Sequence, residues 1–227
     1  PSRAIRSAIS PITAAAPGQM FELKEVERRG VTMAAFANAP PSLAHYFAHF
    51  CNQHKEALFL VDGEQRLTFG EVFAAATRVA DGLATRHWVK KGDRVGIAAR
   101  NSANWIVAYM GTIMAGGCAT LLNGWWTGEE LAYGIDLTDC TLVLADAPRA
   151  ARLDGHAHGA KVIVFDHGTP AEGLAMLWGE GDTAMRMLGE IGPHDLATIL
   201  YTSGSTAHPK GAYSDHLGVV SGVMNYI

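Results

Sequence analysis

Apolar residues along this chain follow two different spacings, and the change comes near residue 68. Before it, segment 42–54 carries apolar residues at helical spacing, which predicts one helix. Two short apolar runs, 57–61 and 66–68, flank Asp62-Gly63, a dipeptide typical of a tight turn between strands. The sequence therefore predicts a helix followed by a β-hairpin.

From Thr68 onward, helix-type and strand-type segments alternate. Thr68 with Glu71, and Thr127 with Glu130, have the spacing of capping boxes, in which each side chain of the pair bonds the other residue's backbone amide. The predicted order is helix 68–87, strand 94–99, helix 103–115, strand 118–122, helix 127–136, strand 141–145, a short helix at 148–153 and strand 161–165. Short apolar strands alternating with helices indicate an α/β fold, with a mainly parallel sheet layered with helices on both faces.

Three units are expected along the chain. Residues 1–38 are interpreted as an irregular leader with at most one helical turn, and residues 39–190 as an α/β N-terminal subdomain that ends in a Gly-rich connector with one short helix. Residues 191–227 are expected to form a strand, a polar loop and a helix that open the next subdomain.

Composition and charge narrow the class of protein. The chain has 227 residues, of which 48% are hydrophobic and 18% charged, so it can bury a core. Its net charge is −4 and it has no basic block, which argues against a nucleic-acid partner. Cys51, Cys118 and Cys140 lie far apart, which indicates buried thiols in a reducing compartment rather than disulfides or metal ligands. The oligomeric state stays open, a homo-oligomer included.

An uncharged run at 105–122 is close to the shortest length that can span a bilayer. Gly116-Gly117 would break a helix there, so the run is better explained as a buried helix followed by a buried strand. We therefore expect a soluble, cytoplasmic protein without an integral membrane segment.

The chemically informative segment is a polar loop that follows a short apolar strand ending at Tyr201. Its residues are Thr202, Ser203, Gly204, Ser205, Thr206, Ala207, His208, Pro209 and Lys210. Backbone amides, hydroxyls and one ammonium group form a donor set that suits a polyphosphate, and glycine lets the backbone approach an anion closely. The loop is not a Walker motif, because Pro209 stands where that motif has Gly before its Lys.

The order of these residues resembles the phosphate-binding signature of the adenylate-forming superfamily, roughly [Tyr/Phe]-Thr-Ser-Gly-[Ser/Thr]-Thr-Gly-x-Pro-Lys-Gly. All positions from Tyr201 to Gly211 agree with it except Ala207. Residues 67–72, 92–96, 101–105 and 121–131 are similar to the family's N-terminal region, and Trp125-Trp126 favours the acyl-CoA synthetase branch over the peptide synthetases. The resemblance implies the N-terminal part of an adenylate-forming enzyme.

The resemblance also implies a reaction. ATP and Mg²⁺ would activate a carboxylic acid, with a fatty acid favoured, as acyl-AMP, and coenzyme A would then displace AMP. Residues 202–209 would bind the phosphates of ATP, and Lys210 would be catalytic by placing positive charge at the leaving pyrophosphate. His208 occupies a variable family position, and its contact with phosphate is the less favoured interpretation.

The segments that carry the family's adenine-binding aromatic, Mg²⁺-binding Glu, ribose-binding Asp and C-terminal Lys are not in these residues. We therefore expect an N-terminal fragment that is inactive alone.

Two departures from the signature stand out. Ala207 replaces a Gly, and a Cβ there would cost about 1–2 kcal/mol if the bound loop needs positive φ. Asp215 stands where the family often has Thr before His216, which suggests added negative charge near the loop. The alternatives to a ligase are a nucleotide- or anion-binding module that has lost catalysis and a structural domain without a ligand.

Other candidate sites are weaker. His45 and His49 have the i, i+4 spacing of metal ligands but no third ligand beside them, so no metal site is predicted. Trp125 and Trp126 could line an acyl channel, although packing is the favoured interpretation at a strand-to-helix junction.

Overall fold

The protein is built on a six-stranded sheet, seen here in a computed structural model that describes residues 17–19, 21–28, 30–180, 190–202 and 209–226. The strands are β1 (Leu23–Arg28), β2 (Val31–Phe36), β3 (Leu58–Asp62), β4 (Gln65–Thr68), β5 (Arg94–Ala98), β6 (Cys118–Leu121), β7 (Leu142–Asp146), β8 (Lys161–Phe165), β9 (Leu196–Thr202) and β10 (Lys210–Asp215). The helices are α1 (Leu43–Gln53), α2 (Phe69–Thr85), α3 (Ala103–Met114), α4 (Gly128–Leu137), α5 (Ala147–Leu153), α6 (Pro170–Gly173) and α7 (His216–Met224), with a 3₁₀ turn at Ala175–Leu177.

The strand order in the main sheet is β10-β9-β6-β5-β7-β8. Strands β9, β6, β5, β7 and β8 are parallel, and β10 alone is antiparallel, to β9. Two separate antiparallel hairpins, β1–β2 and β3–β4, complete the described strands. The predicted α/β class with a mainly parallel sheet is confirmed.

The sheet buries both of its faces because successive side chains along a strand point to opposite sides. In β7, Leu142 and Leu144 join a large core that α1, α2, α3 and α7 cover, whereas Val143 and Ala145 join a smaller core beneath α4 and α5. The prediction of helices on both faces is therefore confirmed.

Local sequence signals fix several of the element boundaries. Both capping boxes form, with the Glu71 amide donating to Thr68 Oγ1 at 3.2 Å and the Glu130 amide to Thr127 Oγ1 at 3.3 Å. The uncharged run at 105–122 is the buried helix α3 followed by the buried strand β6, as predicted. Within the described residues, no helix has both the length and the apolar character needed to cross a membrane.

The expected irregular leader is wrong for residues 23–28 and 31–36, which pair as strands β1 and β2 of a hairpin. Gly30 makes the turn with φ of +76°, a backbone conformation that costs glycine little. Ala35 is buried under the main body of the protein, so tertiary packing orders a segment whose own pattern is weak. Residues 1–16 lie outside the described residues.

The C-terminal part of the chain contains a strand that the sequence pattern did not reveal. Residues 210–215 form the edge strand β10, which pairs with β9. Because β9 in turn pairs with β6, the strand that was assigned to the opening of the next subdomain lies in the main sheet, and β10 lies beside it. The division at residue 190 stays a prediction.

Candidate functional site

The polar loop is the connection between two neighbouring strands. Thr202 is the last residue of β9 and Lys210 the first of β10, and the two residues pair across the antiparallel ladder. Ser203, Gly204, Ser205, Thr206, Ala207 and His208 lie outside the described residues, whereas Pro209 is described and half-buried. The structure therefore brings both ends of the signature together, and the phosphate contacts assigned to it stay a prediction.

The ends of this loop are open to solvent. The Thr202 and Lys210 side chains are exposed, and Lys210 forms no ion pair with any described residue. Strand β9 is parallel to β6, so the loop lies at the carboxyl edge of the parallel strands, where open α/β sheets commonly bind ligands. An unpaired ammonium group at such an edge can stabilise a bound anion.

Tyr201 anchors strand β9 one residue before the loop. Its hydroxyl donates to the carbonyl oxygen of Gly134 at 2.5 Å and lies 3.0 Å from Thr138 Oγ1. Its ring meets the Trp126 ring edge-on, with centroids 4.9 Å apart. Burial raises the pKa of Tyr201 far above its ordinary value, so the hydroxyl keeps its proton and remains a donor.

The far end of β10 is held by an ion pair. Arg28 Nε lies 2.7 Å from Asp215 Oδ2, and the Asp215 side chain also accepts the Gly218 amide at 2.8 Å, which caps helix α7. Asp215 is buried and ends β10 at the opposite end from Lys210. The expected added negative charge near the loop is therefore wrong, because Arg28 and the helix N-terminus compensate this carboxylate.

His216 follows directly and is also buried. Its Nδ1 accepts the Leu43 amide at 3.1 Å, which joins the start of helix α1 to the start of α7. Burial lowers the pKa of His216 to about 4, against the smaller raising effects of Asp195 and Asp215. The imidazole is therefore neutral at neutral pH, as acceptance at Nδ1 requires.

A cleft of about 400 Å³ opens at the same edge of the sheet, lined by residues 99–101 and 122–125 together with Trp105 and Arg149. These residues follow the carboxyl ends of β5, β6 and β7, where the strand order reverses around β5. Arg149 pairs with the buried Asp146 at 3.0 Å and donates through Nε to the Gly124 carbonyl at 3.0 Å, so it ties two loops of the cleft together.

The two tryptophans of the strand-to-helix junction have different environments. Trp125 is 86% exposed and lines the cleft, whereas Trp126 packs against Tyr201. Packing is therefore confirmed for Trp126. The cleft itself was missed by sequence reasoning, although Asn123-Gly124 directly after a buried strand was a signal for a loop at the carboxyl edge.

The described residues include several histidines and three cysteines that could ligate a metal. Among them no group of three or more His, Cys, Asp or Glu residues is placed to hold a metal, and His45 and His49 form no such cluster. Cys51, Cys118 and Cys140 are all buried free thiols.

Comparison with known proteins places the chain among enzymes that bind AMP. Residues 47–227 match the profile of the family described as AMP-binding enzyme. The AMB antimetabolite synthetase AmbB of Pseudomonas aeruginosa is 30% identical over 196 residues, which are 84% of this chain and 14% of that protein. The medium/long-chain-fatty-acid–CoA ligase FadD6 of Mycobacterium tuberculosis is 28% identical over 184 residues, 81% of this chain and 31% of that protein.

The fold has solved counterparts as well. The N-terminal domain of FACL13 from Mycobacterium tuberculosis superposes with a TM-score of 0.66 at 24% identity, covering 78% of this chain and 44% of that chain. Nonribosomal peptide synthetases and 4-coumarate–CoA ligases are also among the similar proteins. The chain therefore spans a minor part of its relatives' length, and those relatives differ in the acid that they act on.

Proposed function

The chain belongs to the AMP-binding enzyme family, and we propose that it forms the N-terminal part of an ATP-dependent acyl-CoA ligase. In the first half-reaction, a carboxylate oxygen of the acid attacks the α-phosphorus of ATP. The bond from that phosphorus to the bridging oxygen breaks, and pyrophosphate leaves. In the second, the thiol of coenzyme A loses its proton to water, its sulfur attacks the acyl carbonyl, and AMP leaves as the thioester forms. The proposed acid is a fatty acid.

One observation supports this proposal most directly: Thr202 and Lys210 pair across β9 and β10, so the two ends of the signature meet at the carboxyl edge of the sheet. A loop held in this way can surround a triphosphate with its amides and hydroxyls. Lys210 would stabilise the negative charge that develops on the pyrophosphate oxygens as the bond to the α-phosphorus breaks.

The cleft beside the loop supports a second large substrate. It lies at the reversal of strand order, has the exposed Trp125 at its rim and is also lined by the exposed Arg100, whereas Arg149 is already paired with Asp146. Coenzyme A carries an adenine ring and phosphates. An aromatic side chain can stack on the ring, and a cationic side chain can pair with the phosphates. Among the described residues of the signature, Lys210 is the cation that would neutralise phosphate charge.

A reducing compartment is the setting that fits this proposal, since all three cysteines are free thiols. The competing possibilities are activation of an amino acid for a peptide synthetase, which the similarity to nonribosomal peptide synthetases supports, and nucleotide binding without catalysis.

The test uses the complete protein that contains this chain. Exchange of labelled pyrophosphate into ATP is measured with fatty acids of increasing length, aromatic acids and amino acids, and acyl-CoA is then quantified after addition of coenzyme A. Exchange and thioester formation with fatty acids are expected. Exchange confined to amino acids, without thioester, would overturn the proposal in favour of peptide synthesis. Binding of ATP without exchange for any acid would favour a binding module.

Two variants report on the loop in the same assay. Lys210→Ala should raise the KM for ATP and lower kcat, because it removes charge stabilisation at the leaving group. Lys90→Ala is the matched control, since Lys90 is an exposed lysine before strand β5 and away from the loop. If Lys210→Ala behaves like this control, the loop does not bind phosphate as proposed.

A further inference from the structure

Helix α4 forms a floor under both ends of the loop. On β9, Tyr201 reaches Gly134 and Thr138 of this helix end. On β10, the cross-strand partner of Tyr201 is Gly211, next to Lys210. A Cβ placed on Gly211 would lie 3.4 Å from Thr138 Cγ2, so the β10 backbone also passes close over the end of α4.

Helix α4 also packs closely against the Trp126 ring, which contacts Tyr201. A Cβ on Gly134 would lie 2.7 Å from Trp126 Cζ3, a separation that packed side chains do not adopt. Gly134 therefore lets the Trp126 ring lie over the helix, and that ring in turn packs edge-on against Tyr201. The Tyr201 hydroxyl can then reach the Gly134 carbonyl, and its ring is held from the side.

We propose that Tyr201 is a positioning residue for the loop: by donating its hydroxyl to the Gly134 carbonyl of helix α4, it fixes the end of β9 from which Thr202 enters the phosphate site opposite Lys210. This inference rests on the proposed function. The loop signature accepts Phe at this position, and Phe keeps the ring but has no hydroxyl, so the hydroxyl contact is a property of this chain rather than of the signature.

The decisive substitution is Tyr201→Phe, made in the complete protein. It removes the hydroxyl and keeps the ring that contacts Trp126. The Gly134 carbonyl keeps one donor, since Thr138 Oγ1 also donates to it at 3.0 Å. The variant should therefore fold, and the readout should report on the position of the loop.

Tyr109→Phe is a matched control. The Tyr109 hydroxyl lies 3.1 Å from Thr198 Oγ1, so it also contacts strand β9, but four residues before Thr202. Each substitution removes the hydroxyl of one half-buried tyrosine: Tyr201 links strand β9 to helix α4, and Tyr109 links helix α3 to the same strand β9. They differ in distance from the loop, which isolates the positioning role from a general loss of hydrogen bonding.

Affinity for ATP is measured by calorimetry in the absence of acid, so that no turnover is needed. The Tyr201 hydroxyl acts on ATP only through the loop, so the free energy of its hydrogen bond is the upper limit of its effect: Tyr201→Phe should weaken ATP binding by about 3-fold and at most about 10-fold, and Tyr109→Phe should stay within twofold of wild type. In exchange assays, Tyr201→Phe should raise the KM for ATP in the same proportion and leave the KM for the acid unchanged. A purely structural defect would lower the active fraction and hence the apparent kcat, without a selective change in the KM for ATP.

The outcomes separate the two proposals. If wild type binds ATP and Tyr201→Phe binds it equally well, or if both Phe variants lose affinity equally, Tyr201 is not a positioning residue and the proposed function stands. If wild type does not bind ATP at all, the proposed function fails, and this inference fails with it.

Discussion

Arg28 and Asp215 lie 187 positions apart in the chain, and their side chains form a partly buried ion pair with Nε 2.7 Å from Oδ2. The pair joins the N-terminal hairpin, which precedes the family match at residues 47–227, to the strand that returns from the loop. Asp215 is also the N-cap of helix α7. The hairpin is therefore an integral part of this fold.

Arg28→Met should destabilise the protein by about 2 kcal/mol, because it leaves the buried Asp215 carboxylate without its cation. Urea unfolding measures the change. The double variant Arg28→Met with Asp215→Asn should recover most of the loss, since Asn still caps a helix and carries no charge. As a control, Lys91→Met breaks a more exposed pair with Asp195 and should cost less than about 1 kcal/mol. Equal losses for the two single variants would contradict this account.

His216 should make stability depend on pH. Burial lowers its pKa from the ordinary 6.5 to about 4 in the folded protein. Between these two pKa values the unfolded chain binds more protons than the folded protein. The contribution of His216 to the free energy of unfolding is therefore complete above pH 6.5 and is lost as the pH falls toward 4. The full loss is of the order of 3 kcal/mol. Unfolding free energies from pH 7.5 to 4 should show this decline, and NMR titration should place the imidazole near 4.

His216→Asn is the test of that assignment. Its side-chain oxygen can accept the Leu43 amide in place of Nδ1, and it does not titrate. The difference between the wild-type and variant stability curves should therefore flatten above pH 6.5 and grow below it. Parallel curves over the whole range would show that His216 does not cause the dependence.

Two helical glycines should respond oppositely to alanine. In Gly134→Ala the new Cβ would meet Trp126 Cζ3 at 2.7 Å, so the ring must move, at a cost of about 1–3 kcal/mol. In Gly222→Ala nothing lies within 4 Å, and the better helix former should stabilise α7 by up to about 1 kcal/mol. Melting temperatures should fall for the first variant and rise for the second. A rise for both would mean that the Trp126 ring is not held against α4.

Ala207→Gly should increase the rate of adenylation in the complete protein. If the closed loop needs positive φ at this position, glycine removes about 1–2 kcal/mol of strain, which is roughly a 5- to 30-fold gain where closure limits the step. Steady-state kinetics with varied ATP measure it. A kcat/KM for ATP within twofold of wild type would show that Ala207 adopts the bound conformation without strain.

Residues 1–227 alone should show no pyrophosphate exchange with any carboxylic acid. The segments that carry the family's adenine, ribose and Mg²⁺ contacts are not among these residues, and no described residue cluster could hold a metal in their place. The complete protein serves as the positive control. Exchange by these residues above a blank without enzyme would show that those segments are not needed.

The sequence by itself determined the local elements and the order of their types. Three kinds of signal were local, because each depends only on residues that are close together in the sequence. They are the capping boxes at Thr68 and Thr127, the apolar strands of four to six residues, and the signature between Tyr201 and Gly211. These patterns were enough to predict the parallel sheet and the position of the loop.

Only the tertiary structure decided which distant residues meet. The ion pair of Arg28 with Asp215 and the hydrogen bond of Tyr201 to the Gly134 carbonyl leave no periodic signal in the sequence, since each joins groups that are far apart in the chain. Strand β10 was missed for the same reason, because an exposed edge strand needs no apolar alternation when its partner β9 supplies the hydrogen bonds. Long-range pairing therefore decided how the ends of the loop are held.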